Sequence, residues 1–258
     1  MGRFQDLTVL ITGATGGFGR RAAERFADEG AQLVLSDMDA GRLEELAATL
    51  SAPTATLAGN ISDEALSENL VALALDRFGS LDVAVNNAGI VHDMSKLPLI
   101  SSEDARRVIE IDLLGVFYAL KHQLPAMEGR FRRDGRKAAI VNVASVAGIS
   151  GAPRLSVYAA AKHGVVGLTR SAAAEYASKG VRINAVCPSF ARTPMVLGAP
   201  SMMTEDTREA EAELTRGVPM RRLAEVDEII EVILFAADPK NSFMTGQTLA
   251  ADGGITAI

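Results

Sequence analysis

The sequence predicts an α/β fold in which a doubly wound parallel sheet carries helices on both faces. Short apolar runs rich in Val, Ile and Leu alternate along the chain with longer segments of helical period, and this alternation is typical of strand–helix–strand units. Several of the short runs are apolar at nearly every position, as expected for strands buried on both faces. Sheets of this kind bind ligands at the carboxyl ends of their strands.

The predicted strands are the short apolar runs between turn residues. They are Thr8–Thr12, Gln32–Asp37, Thr54–Ala58, Val83–Asn86, Ala138–Ala144, Arg182–Val186 and Thr248–Ala250. The predicted helices are the longer segments of helical period. They are Gly17–Asp28, Ala40–Leu50, Asp63–Phe78, Ser102–Met127, Val157–Ser178 and Val226–Ala237, with a short polar helix at Thr204–Thr215. No linker rich in Pro, Gly or Ser divides the 258 residues, so we expect residues 1–258 to form one domain.

Composition limits the partners that the chain can have. Charged residues make up 22% of the chain and the net charge is −6, which argues against nucleic acid as a partner. A local basic cluster is expected to be a solvated loop; it consists of Arg130, Arg132, Arg133, Arg136 and Lys137. No apolar run approaches the ~20 residues that a membrane span needs, and the single cysteine, Cys187, is interpreted as a core residue. We expect a cytoplasmic protein with no membrane partner and no metal site.

A glycine-rich turn joins the first predicted strand to the first helix, where Thr12–Gly19 reads TGATGGFG. Absent side chains let a backbone approach a pyrophosphate, and a helix N-terminus presents free N–H groups and a partial positive charge. The glycine spacing differs from the GxGxxG fingerprint, so a plain tight turn is the alternative on this motif alone. We expect five turn residues to contact a dinucleotide: Gly13, Thr15, Gly17, Phe18 and Gly19.

An acidic residue ends the second predicted strand and bears on the choice of cofactor. Asp37 lies 18 residues after Gly19. A carboxylate near this distance can accept hydrogen bonds from the adenosine ribose hydroxyls, and it would repel the 2′-phosphate of NADP. No Lys or Arg lies within Ala14–Phe18, and Met38 follows Asp37. We therefore predict NAD as the cofactor.

A tyrosine and a lysine lie one helical turn apart. Tyr158 and Lys162 are four residues apart in a predicted helix, so both side chains share one face. A phenol with the reference pKa of about 10 is a poor base at neutral pH, but a close ammonium favours the phenolate. Such a pair can take a proton from an alcohol or return it to a ketone. Ser145, at a predicted strand end, can hydrogen-bond the substrate oxygen, although a helix cap is the alternative for a lone serine.

Taken together, these motifs resemble the short-chain dehydrogenase/reductase family over nearly the whole chain. The matching segments are Thr12–Gly19 (TGxxxGxG), Asn86–Gly89 (NNAG), the catalytic Ser145, Tyr158 and Lys162, Asn184–Pro188 with Thr193, Thr245–Gln247 and Asp252–Gly254. The resemblance implies a Rossmann-like sheet with strand order 3-2-1-4-5-6-7. It also implies an oxidoreductase that moves a hydride between a secondary alcohol, or its ketone, and nicotinamide.

The resemblance also implies a role for each matched residue. Tyr158 is the expected general acid/base, Lys162 binds the nicotinamide ribose and favours the tyrosinate, and Ser145 orients the substrate oxygen. The further cofactor contacts that it implies are Asn60, Ile61, Asn87, Ala88, Gly89, Pro188 and Thr193. Family members are commonly homotetramers built through two long helices, here Ser102–Met127 and Val157–Ser178, so we expect a homotetramer.

Three positions depart from the family pattern. Asp112 stands where the family often has an Asn that holds a water behind the lysine, and we expect the proton relay to survive with an altered pH profile. Asn60 replaces a common Asp and can still meet the adenine amino group through its carbonyl oxygen. Ser189 replaces the glycine of a Pro-Gly pair after Pro188, which stiffens the turn.

The region at about 189–217 is expected to form a substrate lid. Its mixture of Met, Val and Leu, Met195 included, suggests an apolar cover over an uncharged small-molecule alcohol or ketone; ordinary helix packing is the alternative. Ser189 and His92 are further candidate substrate contacts. Two other functions stay open: an NADPH-dependent 3-oxoacyl-type ketoreductase, and a dinucleotide-binding sensor without turnover.

Overall fold

The computed structural model describes residues 2–198 and 207–257. Within them lies one seven-stranded sheet in the order β3-β2-β1-β4-β5-β6-β7, and each neighbouring pair of strands is parallel. The strands are β1 (Thr8–Thr12), β2 (Gln32–Ser36), β3 (Thr54–Thr56), β4 (Val83–Asn86), β5 (Ala138–Val143), β6 (Val181–Pro188) and β7 (Thr248–Ala251). The predicted Rossmann-like sheet and its strand order are therefore confirmed.

Helices cover both faces of this sheet. They are α1 (Gly17–Asp28), α2 (Ala40–Thr49), α3 (Glu64–Phe78), α4 (Ser102–Ile109), α5 (Gly115–Asp134), α6 (Ser156–Tyr176), α7 (Pro194–Leu197), α8 (Thr207–Leu214) and α9 (Val226–Ala237). The predicted helix Ser102–Met127 is wrong in detail, because a π-helical turn, Glu110–Leu114, separates α4 from α5. The helix predicted at Thr204–Thr215 is observed from Thr207 onward, and its first three residues lie outside the described part.

Two apolar layers form the core, one on each face of the sheet. Side chains alternate along β1, so that Val9 and Ile11 join the layer against α1 and α9, whereas Leu10 joins the layer against α3, α5 and α6. This alternation follows from the two-residue period of a strand. All five β1 residues are buried, which accounts for the continuous apolar runs in the sequence.

The basic cluster differs from the expected solvated loop. Helix α5 continues to Asp134 and ends at Gly135, whose φ of 74° is the left-handed conformation of a helix C-cap. Because the helix continues, Arg130 points inward, is only 4% exposed, and forms an ion pair with the buried Asp82. The other four basic residues are exposed, so the expectation of a solvated loop is wrong for Arg130, whose position on α5 brings it to Asp82.

Removing the Arg130 charge is expected to destabilise the fold. Asp82 also accepts hydrogen bonds from the Thr8 N–H at 3.0 Å and the Ser80 hydroxyl at 2.9 Å, but a buried carboxylate left without its cation costs about 3–5 kcal/mol. We expect Arg130→Met to lower the free energy of unfolding by this amount in urea denaturation. The control is Arg132→Met, which removes an exposed partner of Glu128 and is expected to cost below ~1 kcal/mol. Equal losses in the two variants would contradict the prediction.

Candidate active site

A cleft of about 340 Å³ opens at the carboxyl ends of β1, β2, β4 and β5. Thr12 of β1, Ser36 of β2 and Val143 of β5 lie on its wall, together with the segments that follow these strands. Because all strands run parallel, their carboxyl ends meet at one edge of the sheet, where ligands of such folds bind. The cleft is therefore the candidate active site.

The glycine turn forms one wall of the cleft, and two of its glycines have no room for a side chain. Gly13 has a φ of 63°, and a Cβ placed on it would lie 2.9 Å from the Ala88 Cα. A Cβ on Gly19 would lie 2.0 Å from the Gly13 carbonyl oxygen. Helix α1 begins at Gly17, and its N-cap, Gly16, has no side chain to cap the first N–H groups. The turn thus leaves backbone donors and a helix N-terminus facing the cleft, as a pyrophosphate requires.

Asn87 fastens the segment after β4 to this turn. Its side-chain amide donates to the Thr12 carbonyl at 3.0 Å and to the Gly13 carbonyl at 3.1 Å. In return, the Thr12 hydroxyl accepts hydrogen bonds from the N–H groups of Asn87 and Ala88, both at 3.1 Å. These four bonds hold two neighbouring strand ends in one geometry. Asn87 therefore positions the glycine turn in addition to lining the cleft.

Asp37 is held in place at the other end of the cleft. Its Oδ2 accepts hydrogen bonds from the Thr15 N–H at 2.9 Å and from the Thr15 hydroxyl at 2.8 Å, while its Oδ1 accepts from the Met38 N–H at 2.8 Å. Arg42 of α2 also lines this end, and its Nη2 donates to the Thr15 carbonyl at 2.9 Å. The sequence carries no local sign of Arg42, because this residue lies five positions after Asp37 inside an ordinary helical segment.

A buried ion pair lies in the centre of the site. Lys162 of α6 is 3% exposed, and its Nζ lies 3.2 Å from the Oδ2 of Asp112 and 3.3 Å from the Val143 carbonyl oxygen. Burial opposes a charge on Lys162, but the negative charge of Asp112, with the Tyr158 oxygen, outweighs it and raises the pKa of the lysine. Lys162 is therefore a stable ammonium at neutral pH.

The π-helical turn presents Asp112 to this lysine. Asp112 is fully buried, and its Oδ1 accepts a hydrogen bond from the Ile90 N–H at 2.8 Å. An inserted residue shifts the side chains of a helix around its axis, and such turns are frequent at functional sites. Gly89 lies against the ion pair, since a Cβ there would be 3.1 Å from the Lys162 Nζ. A side chain at position 89 would press against the ammonium and the carboxylate, so glycine leaves room for the ion pair.

Tyr158 lies on α6 and lines the cleft, and Ser145 follows β5. Tyr158 is one turn before Lys162 on α6, and its ring centroid is 5.5 Å from the Lys162 Nζ. Ser145 follows β5, and its Oγ accepts a hydrogen bond from the Ala147 N–H at 3.1 Å as the cap of a short 3₁₀ helix. A hydroxyl that accepts one bond still has its own proton to donate, so Ser145 can cap the turn and also bind a substrate oxygen.

Comparison with known proteins identifies the family to which this site belongs. A family model described as enoyl-(acyl carrier protein) reductase matches residues 13–256. The chain is 36% identical to the cyclohexanol dehydrogenase of Acinetobacter sp. (strain SE19) over 258 residues, which cover 99% of this chain and 97% of that protein. The chain belongs to the short-chain dehydrogenase/reductase family.

Two other members of the family are similar over the same length. Levodione reductase of Leifsonia aquatica is 40% identical over 261 residues, covering 99% of this chain and 96% of that protein. Cis-4-hydroxycyclohexanecarboxylate dehydrogenase of Sinomonas cyclohexanicum is 39% identical over 259 residues, covering 99% and 98%. These relatives are named dehydrogenases and reductases, and the chain is an oxidoreductase of the same family.

Solved structures extend the comparison to the cofactor. The crystal structure of levodione reductase matches with a TM-score of 0.92 at 38% identity, covering 98% of this chain and 99% of that one. A 3-ketoacyl-(acyl-carrier-protein) reductase from Brucella melitensis, complexed with NADH, matches at 0.89 and 32% identity, and ElxO with NADP bound matches at 0.88 and 30%, with the same coverage. The family binds a nicotinamide dinucleotide, and both forms occur among the neighbours.

Most residues predicted for the site line one cleft. They are Gly13, Thr15, Gly17, Phe18, Asp37, Asn60, Ile61, Asn87, Ala88, Gly89, Asp112, Tyr158, Lys162, Thr193 and Met195. Gly19 packs beneath the turn, and Ser145 and Pro188 lie at the carboxyl ends of β5 and β6. Ser189 was a candidate substrate contact, but it lines a different cavity of about 320 Å³ beside Asp252. Its N–H donates a hydrogen bond to the Ala251 carbonyl of β7, which holds it there.

His92, a candidate substrate contact in the sequence analysis, is buried and does not line the cleft. It is 3% exposed; its Nδ1 lies 2.8 Å from the Asp93 carbonyl oxygen, and its Nε2 has no hydrogen-bond partner.

Cys187 is also buried, and burial raises the pKa of its thiol to about 11, as the interpretation of a core residue expects. In the described part of the chain, no group of His, Cys, Asp and Glu could hold a metal, and no helix could cross a membrane.

Proposed function

We propose that this chain catalyses the NAD-dependent interconversion of a secondary alcohol and its ketone. The observation that carries the proposal is the position of Tyr158 and Lys162 on one face of α6, with both side chains lining the cleft beside the glycine turn. Two relatives are named as dehydrogenases of cyclohexane alcohols, cyclohexanol and cis-4-hydroxycyclohexanecarboxylate. We extend the proposal to substrates whose hydroxyl is carried on a six-membered carbocycle.

The residues of the cleft suit a nicotinamide dinucleotide along its whole length. The glycine turn suits the pyrophosphate, and Asp37 suits the ribose hydroxyls of the adenosine. Asn60 and Ile61 would flank the adenine. Lys162 and Asn87 would flank the nicotinamide ribose, and Thr193 with the backbone around Pro188 would lie near the carboxamide. When bound, the nicotinamide ring accepts a hydride from the alcohol carbon or returns it to the ketone.

Residues of the chain accept and return the hydroxyl proton that is transferred together with this hydride. Tyr158 Oη takes the proton from the substrate hydroxyl during oxidation and returns it during reduction. The Lys162 ammonium, one turn away, favours the phenolate form, and Asp112 holds Lys162 in its charged form through their 3.2 Å contact. Ser145 Oγ–H donates to the substrate oxygen and orients it. Asp112 is thus a positioning residue in the proposal.

The remaining parts of the proposal concern the surroundings of the site. Residues 1–258 act as one dinucleotide-binding and catalytic domain, with a substrate lid at about 189–217. Met195 lines the cleft and belongs to the lid, while 199–206 lie outside the described residues. His92 is left out of the proposed substrate contacts, because it is 3% exposed and does not line the cleft. We also propose a cytoplasmic homotetramer, on the family resemblance.

A second candidate function is reduction of 3-oxoacyl thioesters. It is favoured by the structural match to the 3-ketoacyl-(acyl-carrier-protein) reductase of Brucella melitensis, which covers 98% of this chain. The two candidates differ in the substrate that fits beside Tyr158 and not in the proton chemistry. A comparison of substrates therefore distinguishes them.

The test is a turnover assay with paired substrates and cofactors. Cyclohexanol and cis-4-hydroxycyclohexanecarboxylate are compared with 2-butanol, with benzyl alcohol as a primary-alcohol control, and each is tried with NAD and with NADP. In the reverse direction, cyclohexanone is compared with acetoacetyl-CoA. We expect the highest kcat/KM for a cyclic secondary alcohol with NAD. Turnover confined to the thioester with NADPH would favour the second candidate and contradict the first.

A further inference from the structure

A positive charge lies beside Asp37 at the adenosine end of the cleft. Arg42 lines the same cleft as Asp37, Thr15 and Met38, although it is five residues further along the chain. Helix α2 brings it there: the Asp39 side chain caps the first turn by accepting from the Arg42 N–H at 3.0 Å. Arg42 therefore lies on the turn of α2 nearest to the end of β2, where Asp37 follows the strand.

Thr15 joins the two charged side chains. Its N–H and hydroxyl donate to the Asp37 carboxylate, and its carbonyl oxygen accepts from the Arg42 Nη2 at 2.9 Å. A guanidinium has five N–H donors, and the Thr15 bond accounts for one of them. A planar guanidinium with further donors is well suited to bind a phosphate group. The adenosine end of the cleft therefore carries two opposite charges that both contact Thr15. The Asp37 carboxylate repels an anion, and the Arg42 guanidinium attracts one.

We propose that Arg42 is a specificity-determining residue, which attracts a 2′-phosphate at the adenosine ribose and opposes the rejection of NADP by Asp37. The inference rests on the proposed function insofar as it assumes that the cleft holds a nicotinamide dinucleotide. Its consequence is that the preference for NAD depends on Asp37 alone. One substitution at Asp37 then suffices to admit NADP, because the required cation is already in place.

The test separates the 2′-phosphate from the rest of the cofactor. Adenosine 5′-monophosphate and adenosine 2′,5′-bisphosphate differ by that group, and their dissociation constants are measured by titration calorimetry on the full chain. The variants are Asp37→Asn, Arg42→Gln, Arg42→Lys and the double variant Asp37→Asn/Arg42→Gln. Arg20→Gln is the matched control, since Arg20 is a basic residue of α1 that does not line the cleft.

We expect Asp37→Asn to strengthen binding of the bisphosphate about tenfold or more, because a like-charge contact is removed. Arg42→Gln is expected to weaken bisphosphate binding and to change monophosphate binding little, and the double variant should lose the gain of Asp37→Asn. Arg42→Lys keeps the charge and should retain most of the bisphosphate affinity. Arg20→Gln should match the parent for both ligands.

Two results would overturn the inference. If Arg42→Gln weakens both nucleotides equally, Arg42 only braces Thr15 and does not choose the cofactor. If Asp37→Asn/Arg42→Gln binds the bisphosphate as tightly as Asp37→Asn, the guanidinium does not contact the phosphate. Failure of the alcohol assay leaves these binding results intact, so an error in the proposed reaction is distinguishable from an error in this inference.

Discussion

Replacing Tyr158 with Phe is expected to lower kcat for alcohol oxidation about 10²–10⁴-fold, the usual contribution of a positioned acid or base. The change removes only the hydroxyl that takes the substrate proton. The ring keeps its place on α6, and Lys162 keeps its contacts with Asp112 and Val143. NADH affinity, measured by fluorescence titration, is therefore expected to stay within about threefold of the parent.

A second tyrosine of the same helix is the matched control. Tyr176 lies at the end of α6, away from the cleft, with its ring 4.2 Å from the Lys179 Nζ. Tyr176→Phe should leave kcat and NADH affinity unchanged. Parental activity in Tyr158→Phe would end the proposed mechanism, since no other group is assigned the substrate proton.

Replacing Asp112 with Asn is expected to move the alkaline limb of the pH profile of alcohol oxidation to lower pH, by about one unit or more. Activity falls on the alkaline side when Lys162 loses its proton, because the tyrosine oxygen then has no ammonium beside it.

The direction of this shift follows from the groups around Lys162. Burial disfavours the charged form of Lys162, and the Asp112 carboxylate is the main group that keeps its pKa raised. With Asn at this position, the lysine loses its proton at a lower pH, and the phenolate loses its partner. The other titratable groups facing Lys162 are Tyr158 and Cys187, and the thiol, with a pKa of about 11, stays neutral over the range tested.

The measurement is log kcat/KM for oxidation as a function of pH, with the parent and two variants compared in one buffer series. Glu110→Gln is the control, because it removes an exposed carboxylate from the same π-helical turn without touching Lys162. Its profile should coincide with that of the parent. A profile of Asp112→Asn that is unshifted, or shifted to higher pH, would show that Asp112 does not act through the lysine charge.

Local patterns were sufficient to predict the motifs of the site. The spacing of Tyr158 and Lys162 places them on one face in any α-helix. The glycines of Thr12–Gly19 mark a turn, and a side chain has no room at Gly13 or Gly19. The seven strands were predicted at their observed positions, apart from their exact ends. Strand β6, for example, extends from Val181 to Pro188, because pairing with β5 and β7 continues beyond its most apolar run.

Distant pairings could not be predicted in the same way. Arg130 was expected in solvent because its neighbours in the chain are polar, yet it is buried against Asp82. Arg42 looked like an ordinary residue of a surface helix, and only the packing of α2 beside β2 brings it to Thr15. The contact between Asp112 and Lys162 likewise depends on a π-helical turn, which the sequence shows only as part of one long helix.

By itself, then, the sequence determined the order of strands and helices, the glycine turn and the Tyr158–Lys162 pair, because each depends on residues close together in the chain. The tertiary structure decided which charges meet: Asp112 with Lys162, Arg130 with Asp82, and Arg42 with Thr15. The physical reason is that burial makes a charge costly unless a partner is near, and that partner is supplied by packing between elements that are far apart in the chain.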